Sequence, residues 1–317
     1  MEAPTQRVLC CMGYSVAGHA TQYLMQRLFV EHGLDWSAIS VEVNREALAD
    51  AVCGAKAMRF AALRFYPPLD DEVREFFLSR DATARTLAGF TSARCEDGDW
   101  IGWHNLGWGV QAEIVRRGTA WDRVQLWVHG RSRLALSTID MSGQSPPAGL
   151  LWTADGTADA ELPANHLDSA EALDSCRPVA LDEADSKLAE MLLQVVDPHS
   201  DSRLVIVADG SADELAGAER LLRRCLEDSV RGAAAEEMGA AGEADQPNAA
   251  SRDPVPVLAF GASGLFLVDH CLDSIRVDPV AAADLDLAAE AYDFQVWTGI
   301  SPNLELLRDA YDEFYDL

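Results

Sequence analysis

The chain has 317 residues, enough for two domains, and 49% of its residues are hydrophobic, enough to form extended cores. Its formal charge of −27 is uneven, with a net charge of −4 over residues 1–110 and −23 over residues 111–317. Such an acidic surface repels phosphate backbones and anionic lipids, so nucleic-acid and membrane binding are not expected, although a generally acidic surface without special function explains the same charge.

Strand and helix patterns alternate through the first 80 residues. An apolar run at residues 8–12 predicts a buried strand, in which Cys10 and Cys11 are expected to be core residues. A helical pattern follows and stops at His32-Gly33. Further predicted elements are strands at residues 39–43 and 61–65 and helices at residues 47–58 and 70–78. This alternation predicts an α/β layer with parallel strand pairing.

The alternation begins again after residue 122. The predicted strands are residues 123–128, 150–153, 178–181, 203–207 and 255–260, and the predicted helices include residues 212–226, 281–297 and 303–317. Residues 229–253 are mostly Ala, Gly, Glu and Asp and have almost no large apolar side chain. They are therefore expected to form a flexible insertion.

Several segments resemble the shikimate and quinate dehydrogenases in order and spacing. They are residues 14–18 (YSVAG), 33–36 (GLDW), 59–63 (RFAAL), 100–109 (WIGWHNLGWG) and 294–299 (FQVWTG). The resemblance implies a two-domain α/β fold. Residues 1–110 would form the substrate-binding domain and residues 111–280 a degenerate Rossmann-like domain, with residues 281–317 as helices that pack back onto the first domain.

The residues that carry the chemistry of this family are replaced. The family transfers a hydride between a nicotinamide and a hydroxyl carbon, while a lysine and an aspartate move the proton. Those two positions are Asp70 and Leu106 in this chain. An aspartate cannot deliver a proton as an ammonium does and a leucine cannot accept one, so most of an acid–base contribution of roughly 10²–10⁴-fold is lost. Authentic shikimate oxidation is therefore not expected.

The polar residues that remain at the substrate positions define a candidate binding site. They are Ser15, Arg64, Tyr66, Thr91, His104 and Asn105. Arg64 with Tyr66 and Ser15 could bind the carboxylate of a small organic acid, because a guanidinium presents a planar fork of donors. The alternative is structural, with Arg64 and Asp70 as an ion pair and His104 as a packing residue.

The candidate cofactor loop, residues 129–134 (HGRSRL), follows the predicted strand 123–128. A Rossmann phosphate loop needs glycines so that backbone N–H groups can approach a pyrophosphate, and this loop has only one, Gly130. Arg131 and Ser132 could still contact a phosphate, and Asp155 stands where an acidic residue would hold a ribose 2′-hydroxyl. These residues do not identify a cofactor. They are compatible with NAD, and NADP is expected to bind no better than millimolar.

Other features leave two functional classes open. Seven cysteines without a C-x-x-C pair and an N-terminus without a signal pattern predict a cytoplasmic protein, and the seven histidines show no metal-ligand spacing. One class is a diverged small-molecule oxidoreductase, or another enzyme, that acts on a hydroxylated organic acid. The other is a non-catalytic small-molecule-binding or regulatory protein that keeps only the fold.

Overall fold

A computed structural model of the chain describes residues 6–79, 89–154, 178–181, 183–196, 200–209, 215–226, 228, 255–261 and 275–316. Its strands are β1 (Arg7–Gly13), β2 (Trp36–Glu42), β3 (Ala62–Phe65), β4 (Leu78–Ser79), β5 (Ser92–Glu96), β6 (Asp99–Trp103), β7 (Val124–His129), β8 (Gly149–Thr153), β9 (Arg203–Ala208), β10 (Val255–Phe260) and β11 (Ile275–Pro279). Its α-helices are α1 (Thr21–Glu31), α2 (Leu48–Ala57), α3 (Leu69–Glu72), α4 (Asn105–Arg116), α5 (Arg133–Gln144), α6 (Asp185–Val196), α7 (residues 215–226), α8 (Ala282–Thr298) and α9 (Leu304–Tyr315).

The chain divides into two compact units. The first unit combines Met1–Glu113 with Ala283–Leu317, and the second is Ile114–Ala282. The helices at the end of the chain therefore belong to the same unit as the first strands.

The first unit is built on a six-stranded sheet in the order β2-β1-β3-β5-β6-β4. β1 is parallel to β2 and β3, whereas β5 is antiparallel to β3 and β6. Side chains alternate along a strand, so Leu9 and Cys11 pack in the core cluster that includes α1, α8 and α9, and Cys10 and Met12 pack with α2 on the other face. A strand buried on both faces explains the continuous apolar run at residues 8–12.

The second unit contains a parallel sheet in the order β11-β10-β9-β7-β8. A single bridge joins Thr153 at the end of β8 to Val179. With that bridge counted as a strand, the order is the 3-2-1-4-5-6 arrangement of the Rossmann fold. Helices α6 and α7 pack on one face, where Leu204, Ile206 and Val257 form the core.

The predicted α/β class is confirmed, but two predicted elements differ. The helix predicted at residues 70–78 ends at Glu72 and becomes a 3₁₀ turn, Val73–Phe76, because Phe77 takes an extended conformation and packs in the core. The strand predicted at residues 178–181 is only the bridge at Val179.

Two predictions fall on residues outside the described part of the chain, namely the flexible insertion at residues 229–253 and the role of Asp155. Among the described helices, none has the length and apolar character that crossing a bilayer would require.

Candidate functional site

A row of aligned side chains crosses four strands of the first sheet. Cys11 of β1 is paired with Arg64 of β3, Arg64 with Ser92 of β5, and Ser92 with Trp103 of β6. Paired residues point to the same face of a sheet, and Cys11 lies on the face covered by α8. The register therefore directs Arg64, Ser92 and Trp103 towards α8.

Asp293 of α8 is the acceptor for this row. Its Oδ2 accepts hydrogen bonds from Arg64 Nη1 at 3.0 Å, Ser92 Oγ at 2.6 Å and Asn105 Nδ2 at 2.8 Å. Its Oδ1 accepts one from Trp103 Nε1 at 2.7 Å. Asp293 is fully buried, so these four donors replace the water that a carboxylate would otherwise bind.

Glu290 is the second carboxyl group that contacts Arg64. It lies one helical turn before Asp293, so both side chains project from the same face of α8. Its Oε1 accepts hydrogen bonds from Arg64 Nη2 at 3.2 Å and Thr21 Oγ1 at 2.7 Å. Arg64 thus pairs with two acidic side chains of the closing helix. The alternative partner considered from the sequence, Asp70, is wrong for Arg64.

Small residues allow α8 to lie close to its neighbour α4. A side chain added at Gly109 of α4 would come within about 3.0 Å of the backbone of Ala289. Ala289 is almost fully buried. This close approach helps to place Asp293 next to Asn105, at the beginning of α4.

The two acidic groups titrate abnormally. Burial raises the pKa of Asp293 to about 7 and also raises the pKa of Glu290, while the charge of Arg64 lowers both. Four donors favour the charged form of Asp293, whereas Glu290 Oε2 has no hydrogen-bond partner among the described residues. Both carboxyl groups therefore take up a proton at a higher pH than exposed carboxyl groups do.

Tyr66 lies at the edge of this cluster. Its ring stacks on His19 with the centroids 3.8 Å apart, and the Arg64 guanidinium carbon is 5.9 Å from the Tyr66 ring centroid. Burial raises the pKa of the Tyr66 hydroxyl and keeps it neutral. Within the described residues, three buried polar atoms have no hydrogen-bond partner here: Tyr66 OH, Arg64 Nε and Glu290 Oε2.

The predicted substrate residues are only partly brought together. Thr91 and Asn105 bond to each other, with Thr91 Oγ1 donating to Asn105 Oδ1 and accepting from the Asn105 backbone N–H, both at 2.9 Å. His104 is buried beside them, whereas Ser15 is exposed in the loop after β1. Asp70 is fully buried at the beginning of α3, and Leu106 is half-buried in the first turn of α4. A substrate role for these residues stays a prediction.

Sequence reasoning missed four members of the cluster: Glu290, Asp293, Ser92 and Trp103. A usable signal was present in α8, where Glu290 and Asp293 are three residues apart in an otherwise apolar stretch. Acidic residues are almost never buried unless they are paired. Two of them on one apolar helix face therefore indicate a buried cation, which Arg64 supplies.

The candidate cofactor loop forms a tight turn between β7 and α5. Gly130 has a φ of +95°, and an added Cβ would lie 2.4 Å from the carbonyl oxygen of Asp209. Ser132 caps α5 by accepting a hydrogen bond from the Ala135 N–H at 3.2 Å. Gly130 is thus required for the turn to pack against the end of β9.

Two side chains around this turn are buried. His129, which ends β7, is fully buried and its Nδ1 lies 2.9 Å from Thr153 Oγ1. Leu134 is buried in the first turn of α5. A pyrophosphate approaches backbone N–H groups where glycines leave space, and Gly130 is the one glycine of residues 129–134. The second unit thus keeps a strand–turn–helix geometry with one glycine in the turn.

Comparisons with known proteins give structural matches only. No family model matches the sequence, and no curated protein does. Shikimate 5-dehydrogenase from Listeria monocytogenes, solved with shikimate and NAD, aligns with a TM-score of 0.64 at 13% identity over 96% of both chains. The enzyme from Thermus thermophilus, solved with NADP(H) and shikimate, aligns with a TM-score of 0.56 at 13% identity, over 97% of this chain and 99% of that one.

A reductase of another substrate has the same fold. Ligand-free 5-ketofructose reductase of Gluconobacter sp. strain CHM43 aligns with a TM-score of 0.58 at 14% identity, over 98% of this chain and 99% of that one. These alignments span nearly the whole chain. The protein therefore has the two-domain fold of the shikimate dehydrogenases, as the resemblance implied.

Proposed function

We propose that this protein does not oxidise shikimate or quinate and that it is a small-molecule-binding protein built on the shikimate dehydrogenase fold. The observation that carries the proposal is the double ion pair of Arg64 with Glu290 and Asp293. The arginine that was the best candidate for a substrate carboxylate is already neutralised by the protein's own carboxyl groups.

The charge of the cluster determines which ligand it favours. One guanidinium faces two carboxyl groups, so an added carboxylate would meet repulsion in a buried environment where electrostatic interactions are strong. A neutral polar molecule avoids that repulsion. It can accept a hydrogen bond from Arg64 Nε and bond to the hydroxyl of Tyr66 and to Glu290 Oε2, the buried polar atoms of this cluster that have no hydrogen-bond partner among the described residues. The favoured ligand is therefore a neutral polar molecule and not the organic anion expected from the sequence.

The proton-transfer positions support the same proposal. Leu106 offers no group that exchanges a proton. Asp70 cannot deliver a proton as an ammonium does. The buried acids that remain, Glu290 and Asp293, are engaged with Arg64.

The test compares shikimate with its methyl ester, a matched pair that differs in charge. A ligand that binds the native state raises the melting temperature by mass action. We expect the ester to raise it and shikimate to leave it unchanged. Tyr66→Phe should abolish the shift, while Tyr23→Phe, a control at a half-buried tyrosine of α1 outside the cluster, should retain it. A larger shift with shikimate than with the ester would contradict a neutral ligand.

The catalytic part is tested separately, by following NADH and NADPH absorbance in the presence of shikimate or quinate. We expect no turnover with either nicotinamide. A rate near the ~10 s⁻¹ typical of enzymes would contradict the proposal.

A second candidate is a diverged oxidoreductase that acts on another hydroxylated organic acid. It is favoured by the turn at Gly130, which keeps a helix N-terminus capped by Ser132, and by the fold shared with a ketofructose reductase. Titration calorimetry with NAD and NADP tests it. Micromolar affinity for either cofactor would favour this candidate, whereas our expectation is millimolar or weaker for NADP.

A further inference from the structure

A groove of about 320 Å³ opens at the beginning of three strands of the second sheet. It is lined by Arg203 and Val205 of β9, by Pro256 and Leu258 of β10, and by Arg276 and Asp278 of β11, with Arg117 and Thr119 from the turn that follows α4. The strands of this sheet are parallel, and Gly130 follows the end of β7. The groove, at the beginning of the strands, and the candidate cofactor loop therefore lie at opposite edges of the sheet.

The register of the sheet places two arginines on the same face. Pro256 is paired with Arg276. Val257 is paired with Leu204, so the residues one position earlier in each strand, Pro256 and Arg203, also lie side by side. Arg203, Pro256 and Arg276 therefore form a row across three neighbouring strands. The two arginine Cα atoms are about 10 Å apart, twice the strand spacing.

Pro256 makes this row a groove. Its compact ring lies between two long side chains, while the residues of the next row, Val205 and Leu258, add an apolar floor. The opposite face of the same strands, with Leu204 and Val257, packs in the core. The arginine row thus faces outward, and both Arg203 and Arg276 are exposed.

The charge of the groove contrasts with its surroundings. The second unit has 14 basic and 28 acidic side chains, a net charge of −14. Among the described residues, the ion pairs nearest the groove join Arg117 to Asp278 at 2.9 Å and Arg123 to Asp201. Neither pair uses Arg203 or Arg276, so no ion pair within the described part of the chain occupies either guanidinium group.

We propose that this groove binds a small polyanion with two adjacent anionic groups, such as a diphosphate or bisphosphate metabolite. Two guanidinium forks on either side of one proline suit two neighbouring phosphoryl groups, because each fork can donate two parallel hydrogen bonds. The Arg117–Asp278 pair closes one side, and Val205 and Leu258 can contact the carbon skeleton of the ligand. The volume lies at the lower end of the range for small-molecule sites.

Inorganic pyrophosphate is the probe, titrated into the full chain by calorimetry at low ionic strength. We expect saturable binding of one equivalent. Arg203→Gln and Arg276→Gln should each weaken the affinity by about tenfold or more, the effect of losing a charge-assisted hydrogen bond. Arg220→Gln is the matched control, since it removes the same charge from an exposed position of α7 in the same unit. Its affinity should equal that of the wild type.

Three results would overturn the proposal. The first is no binding at millimolar pyrophosphate. The second is an equal loss in Arg220→Gln, which would mean attraction by diffuse charge. The third is a loss in Arg131→Gln with Arg203→Gln and Arg276→Gln unaffected, which would place the anion at the turn before α5. Circular dichroism of each variant shows that it is folded, so a lost affinity reports on the groove.

Discussion

The candidate sites of the two units differ in what holds them together. In the first unit, polar residues are still present, and the carboxyl groups of Glu290 and Asp293 occupy the guanidinium of Arg64. In the second unit, the turn after β7 depends on Gly130, whose added Cβ would meet the backbone carbonyl oxygen of Asp209. The first arrangement is electrostatic and the second is steric.

This difference determines how each unit would respond to mutation. A buried charge cluster is strongly interdependent, because removal of one partner leaves the others buried without compensation. A turn held by backbone packing depends on a single position and its φ angle. Amide hydrogen exchange separates the two responses, since it reports opening of β1 and β3 independently of opening of β7 and β9.

The largest effect is expected for Asp293→Ala. The change removes the acceptor of four hydrogen bonds and leaves Arg64 with one carboxyl group. We expect a loss of about 3–5 kcal/mol in the free energy of unfolding of the first unit. Hydrogen exchange should accelerate in β1 and β3 and stay unchanged in β7 and β9.

Asp309→Ala is the matched control, because Asp309 is an exposed aspartate on a helix of the same unit. It should change stability by less than about 0.5 kcal/mol. A double-mutant cycle between Arg64→Ala and Asp293→Ala should give strong coupling. If Asp293→Ala and Asp309→Ala had equal effects, the cluster would have no structural role.

Gly130→Ala tests the steric side of the comparison. Its φ of +95° is strained for any residue with a Cβ, and that Cβ would lie 2.4 Å from the Asp209 carbonyl oxygen. We expect a loss of about 2–3 kcal/mol, with faster exchange in β7 and β9 only. Gly143→Ala, near the end of α5, is the control: no atom lies within 4 Å of its added Cβ, and a gain of about 0.5–1 kcal/mol is expected. A neutral Gly130→Ala would mean that the turn adjusts freely.

The sequence predicted the fold better than the site. Apolar runs such as residues 8–12 specify buried strands directly, and the end of α1 at His32-Gly33 follows from the conformational freedom of Gly33, whose φ is +63°. The predicted strand at residues 255–260 coincides with β10. Such local patterns carry their own structural information.

The site depended on register, which no local pattern contains. The sequence suggested that Arg64 binds a ligand or pairs with Asp70. Its partners in the structure, Glu290 and Asp293, are 226 and 229 residues further along the chain, beyond the reach of any local pattern. Only the pairing of Cys11, Arg64, Ser92 and Trp103 across four strands shows which face Arg64 occupies. One residue of shift in β3 would turn the arginine away from α8.

The smallest effect concerns the pH dependence of the first unit. Glu290 has a raised pKa because of burial, so its contribution to stability is fully present below its unfolded pKa and is lost as the pH rises through its folded pKa. Asp293 behaves in the same direction, with a folded pKa of about 7. The stability of the first unit should therefore fall as the pH rises from about pH 4 to about pH 7, by at most about 1.4 kcal/mol per pH unit for each proton. Glu290→Gln removes one titrating group and keeps an oxygen that can accept from Thr21. The variant should match the wild type at about pH 4 and exceed it at pH 8, by about 1 kcal/mol, as measured by urea unfolding at each pH. A difference that stayed constant with pH would show that Glu290 keeps the same protonation state in the folded and unfolded chain, and the electrostatic account of the first unit would then rest on Arg64 and Asp293 alone.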